Sequence, residues 1–156
     1  MSGAGAGGFE AATGDGPAPT GPAADRRAAE VRVAFEGLRQ IRRLMNQGPA
    51  DPAAVPAPWE REQPVRAVAL ALEAQGIPPS AVAADGRRTA TGYVVRTDRE
   101  SGRVRVGWLG PPGGGAAEEE ADRLAGCAAA LEPLGWDCPV YRGPRNRRFL
   151  EVTPAR

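Results

Sequence analysis

The sequence predicts an α+β protein: a mainly antiparallel four-stranded sheet with helices packed on one face, in α-β-β-α-β-β order, preceded by a separate amphipathic helix and a disordered N-terminus. Three observations predict it. Two pairs of β-rich runs are each joined by a short turn sequence, each pair follows a stretch with helical spacing, and residues 1–23 contain, after Met1, only one large apolar side chain, Phe9.

Residues 1–23 are otherwise Gly, Ala, Pro, Thr and one Ser with two acids, so they bury too little surface to offset the entropy of ordering and are expected to be disordered. The pattern changes over 24–47. Val31, Phe35, Leu38, Ile41 and Met45 recur every three or four residues, as one apolar helix stripe requires, with Asp25 as N-cap and Gly48-Pro49 as the stop. Residues 48–58 hold four prolines and read as an extended linker that sets this helix apart. The compact domain is then expected over 59–156.

A second helix starts near Trp59 or Pro64, carries Val65, Val68, Leu70 and Leu72, and ends at Gly76; Asp85-Gly86 marks a tight turn after it. The runs 91–97 and 103–109 form the clearest hairpin, with Val104, Val106 and Trp108 alternating against Arg103, Arg105 and Gly107. A third helix spans about 116–134, opened by Glu118, Glu119, Glu120 and Asp122 at the positive end of its dipole and closed by Gly135. A second hairpin pairs 137–142 with 147–153, and Pro139 assigns its first strand to a sheet edge. The segments ALALEAQGIP at 69–78 and CAAALEPLGWD at 127–137 echo one another, each ahead of a hairpin.

Composition narrows the chemistry. His is absent, which removes imidazole as general base or metal ligand, and all 20 basic residues are Arg, a usage that points to a GC-rich bacterial genome. Cys127 and Cys138 are too few for a cysteine-rich zinc site and too far apart for a Cys-x-x-Cys pair, so they read as buried apolar groups. The glycine loop 110–115 lacks the Gly-Lys-Ser/Thr of a phosphate loop and runs into three glutamates that would repel a phosphate. Those glutamates, adjacent on a helix, point in different directions and read as solvated dipole partners. No cofactor, metal, catalytic group or membrane contact is therefore expected; with no secretion signal and no run of about 18 apolar residues, the expected location is the cytoplasm.

Two surfaces remain. The helix at 24–47 offers Val31, Phe35, Leu38, Ile41 and Met45 to a partner helix or to a second copy of the chain. The C-terminal hairpin gathers Tyr141, Arg142, Arg145, Arg147, Arg148 and Phe149, and the sheet would set Arg103 and Arg105 beside them. Arginine with aromatic rings is the chemistry that holds single-stranded nucleic acid. The net charge of +1 argues against a dedicated nucleic-acid binder. The expectation is a non-enzymatic binding or regulatory module acting on a partner protein or itself, with nucleic-acid binding as the alternative.

Overall fold

The computed structural model describes residues 9–156; the first eight residues of the expected disordered tail lie outside that range. In chain order the elements are α1 (Pro22–Met45), a 3-10 turn (Pro52–Ala54), α2 (Pro58–Glu62), α3 (Pro64–Ala74), β1 (Ala81–Val82), β2 (Arg88–Ala90), β3 (Gly92–Thr97) and β4 (Val104–Leu109). They continue as α4 (Ala116–Leu131), a second 3-10 turn (Glu132–Leu134), β5 (Trp136–Asp137), β6 (Val140–Arg142), a third 3-10 turn (Pro144–Asn146) and β7 (Arg148–Pro154).

The main sheet is antiparallel in the order β3-β4-β7, with β5 and β6 both pairing β7. The sheet therefore has five strands where four were expected, because the edge run is split: Trp136 opposite Pro154 and Val140 opposite Leu150 obey one register, so β5 and β6 are two ends of one edge. Pro139 causes the break: its carbonyl accepts the Glu151 N–H at 3.0 Å, but it has no N–H to return the bond. The connection β4–α4–β6 straddles β7, a split β-α-β arrangement. A small ribbon of β1 and β2 turns at Asp85-Gly86.

One face of the sheet carries the core. Tyr93, Val95, Val104, Val106, Trp108, Leu150 and Val152 meet Leu124, Cys127 and Leu131 of α4 and Val68 and Leu72 of α3. Every residue of α3 from Ala67 to Leu72 is buried because α1 covers its other side, and a helix covered all round can be apolar all round. Burial also lifts both thiols, Cys127 and Cys138, to about 12, which keeps them protonated and apolar in character.

Two expectations are corrected here. Residues 9–21 are not loose: Phe9 packs against the α1–α3 contact, and the segment runs on as a strap along the β3 edge, its Thr13 carbonyl accepting the Val95 N–H at 2.9 Å. Residues 48–58 do not hold α1 at a distance. Asn46 Nδ2 donates to the carbonyls of Pro52 at 3.0 Å and Val55 at 2.6 Å, and Pro56 and Ala57 are buried.

α1 is docked by a buried ion pair as well as by its apolar stripe. The Arg42 guanidinium donates through Nε and Nη2 to both Glu60 oxygens at 2.7 Å, and through Nη1 to the carbonyls of Ala53 at 2.9 Å and Leu134 at 2.8 Å. Glu60 also accepts the Ala57 N–H at 3.0 Å. Both charges are fully enclosed and matched, the condition under which a buried pair is tolerated.

Candidate binding face

The strand alternation that sends Val104, Val106, Leu150 and Val152 into the core sends Arg103, Arg105, Gly107, Phe149 and Glu151 to the opposite face, which no helix among the described residues covers. Register completes the site: Tyr141 lies opposite Phe149, and Arg96, Arg105 and Glu151 lie side by side across β3, β4 and β7. The Tyr141 and Phe149 rings stack at 5.9 Å between centroids, 27° apart, and the Arg105 guanidinium sits 4.2 Å over the Phe149 ring. The result is a short aromatic and cationic platform.

Its charge is largely answered from within. Arg103 donates to Glu151 at 2.8 Å, Arg105 lies 3.6 Å from Asp98, and Arg96 donates to both oxygens of Asp15 on the strap. Hydrogen bonds from Arg96, then from Arg88, hold the Asp15 carboxyl below its ordinary range against the effect of partial burial. Asp98 is lowered too, first by the Ser101 backbone N–H that closes the β3–β4 turn. The face is therefore zwitterionic.

The remaining arginines of the hairpin go elsewhere. Arg142 and Arg148 are cross-strand partners on the side away from the Tyr141–Phe149 stack. Arg147 is tied down, its Nε donating to Glu120 at 2.6 Å and its Nη2 to the Trp108 carbonyl at 2.8 Å. Arg145 stands on the turn with φ of 61°, in the left-handed region. Thus the eight residues expected to form one patch separate: Arg103, Arg105, Tyr141 and Phe149 come together, and the other four do not join them.

The glutamates that open α4 are also more structural than their spacing implies. Glu120 is buried and takes the Arg147 side chain and the Arg148 N–H, at 2.7 Å, while Glu119 accepts the Trp108 Nε1–H at 3.2 Å. Glu118 is exposed and Glu119 partly so, and only Glu120 is enclosed. Among the described residues no group of three potential metal-ligating side chains occurs. An open groove of about 1030 Å³ runs between the strap, α1 and α3, but of its acids Asp15 and Glu73 are engaged by arginines, Arg27 donating to Glu73 at 3.0 and 2.8 Å.

On α1 the residues expected to meet a partner helix are mostly turned inward. Val31 and Leu38 are buried against Leu70, Phe35 and Ile41 are half-buried, and Met45 is exposed. The solvent side shows Val33 and Leu44 instead. The spacing of Arg42 from Leu38 and Val31 puts it on the apolar stripe itself, the one signal in the sequence that announces a buried charge.

No protein-family model, curated protein or solved structure matches this chain. Within the described residues no helix is long and apolar enough to cross a membrane.

Proposed function

We propose that this protein is a non-enzymatic binding module that meets a partner protein through the bare sheet face, centred on Tyr141, Phe149 and Arg105. The observation that carries this reading is the ring stack capped by a guanidinium on a face where Arg96, Arg103 and Arg105 each have a carboxylate within 4 Å. Aromatic rings and arginine supply the contact area that protein interfaces favour. Phosphate backbones need surplus positive charge, which this face lacks.

A photo-crosslinking side chain at position 141, compared with one at Val33 on the solvent side of α1, tests the reading in cells of the source organism. Position 141 is expected to give one discrete protein adduct that Phe149→Ala removes, and position 33 none. The reverse pattern would move the interface to α1. Nucleic-acid binding remains the second reading because Arg142, Arg145 and Arg148 form no ion pair among the described residues. It requires that a labelled oligothymidylate bind, that binding fall steeply with salt, and that replacing those three arginines with Ala abolish it.

A further inference from the structure

β6 ends the sheet, and its outer side is unused. The bonds from the Gly143 N–H to the Arg147 carbonyl at 2.7 Å and from the Glu151 N–H to the Pro139 carbonyl fix which residues face β7: the odd-numbered ones. The backbone groups of Val140 and Arg142 therefore point away from the sheet, and no backbone bond engages them among the described residues. Val140 and Tyr141 are 53% and 46% exposed, so nothing among the described residues covers this edge. An uncovered strand edge is a template for another strand.

The opposite edge shows what such a template holds in this protein. Along β3, Tyr93 exchanges bonds with Pro78 and Ser80, and the Val95 N–H reaches Thr13 of the strap. Asp15 of that strap bridges two arginines, accepting from Arg88 at 2.6 Å and from Arg96 at 3.0 Å. On the β6 edge Arg142 and Arg148 stand opposite one another, and the Arg142 side chain donates only to Asn146 at 2.6 Å. Arg145 stands at the adjoining turn, so three guanidiniums lie about this edge with no carboxylate paired to them among the described residues.

We infer that the β6 edge is a strand-addition site for an extended, acidic segment of a partner protein. Its backbone pairs with Val140 and Arg142, and its carboxylates meet Arg142, Arg145 and Arg148, as Asp15 meets Arg88 and Arg96 on the other side. A second copy is a poor occupant, because β6 laid against β6 brings like charges together. The inference rests on the reading above, that the partner is a protein meeting the C-terminal hairpin, and it adds the partner's chemistry.

The test uses the full chain, isotope-labelled, titrated with a synthetic peptide of alternating Val and Glu. The peptide is expected to shift and protect the Val140 and Arg142 amides, and its Lys-for-Glu counterpart to leave them alone. Val140→Pro removes an outward N–H that makes no bond to β7, and it is expected to weaken the peptide roughly tenfold, the scale of one backbone hydrogen bond. Arg142→Glu, a second variant, reverses the preference toward the Lys peptide. Edge amides that stay unprotected at about 1 mM peptide, a level that admits even weak binding, would overturn the inference. So would undiminished binding by a folded Val140→Pro variant, broadening at β6 that depends on protein concentration alone, or oligothymidylate outcompeting the peptide. If position 141 still crosslinks to a protein while the edge amides stay free, this inference falls and the bare-face reading stands.

Discussion

The two edges of the sheet have opposite fates. The β3 edge is closed by residues 78–80 and by a strap from the N-terminus, and that strap leads into α1, which is stapled over α3. The β6 edge, built from the last hairpin, has neither strap nor helix among the described residues, and Val140 and Tyr141 stand in solvent. The chain thus spends residues 9–45 on covering one side, while the other side keeps an open backbone and unpaired arginines. A closed edge contributes stability and an open one offers contact, so substitutions on the two sides are expected to differ in what they change.

The largest effect is expected where the covering layer is anchored. Glu60→Ala leaves the Arg42 guanidinium enclosed with only two carbonyls, and removing one partner of a buried pair costs about 3–5 kcal/mol. Urea unfolding followed by Trp fluorescence is the measurement. Removal of residues 1–50 strands the Glu60 carboxylate in the same way and uncovers Leu70, so the truncated chain is expected to unfold. A stable truncated core would mean that the N-terminal layer is an appendage, and the contrast between the edges would lose its energetic half.

A middling effect is expected at Gly14, which has φ of 96° and passes so close to β3 that a Cβ would run into the Tyr93 carbonyl oxygen. Gly14→Val forces a β-branched residue into the left-handed region, a strain of roughly 1–3 kcal/mol, and expels the strap. Faster amide exchange at Val95, with unchanged exchange at Leu150, is the expected signature. Exchange that rises equally at both would show that the strap and the sheet open as one unit.

What was legible in the sequence was local. The 98–102 turn between β-rich runs, the acidic start of α4 and the edge position of 137–142 all follow from patterns a few residues long, and the structure has each of them, the turn one residue longer. What was not legible depends on groups distant in sequence. The strap is ordered by backbone carbonyls of Ala12, Thr13 and Gly16, which every sequence has and no composition reveals. The Arg42–Glu60 pair joins two helices through residues 18 apart in sequence. The candidate face was half legible, because alternation placed Arg105 and Phe149 outward, but only the register against β7 set Tyr141 on Phe149 and sent Arg142 and Arg148 to the other side.

The smallest effect is expected from acid, and it isolates the electrostatic part of the closed edge. Asp15 has its carboxyl lowered below the ordinary 3.8 chiefly by the Arg96 hydrogen bond. A carboxyl lowered in the folded state contributes stability that is fully present above its unfolded pKa and disappears as pH falls through its folded value. The window therefore opens near pH 3.8 and extends downward. Each part-exposed ion pair contributes roughly 0.2–1 kcal/mol, so Asp15→Asn is expected to lower the urea midpoint slightly near neutral pH and to converge on the parent as pH falls through the folded value of Asp15. Asp98, also lowered, is common to both proteins and cancels in the difference. A midpoint difference that persists unchanged at low pH would show that the strap is held by its backbone bonds and Phe9 instead, and the carboxylate bridge would no longer serve as the pattern for what the open edge binds.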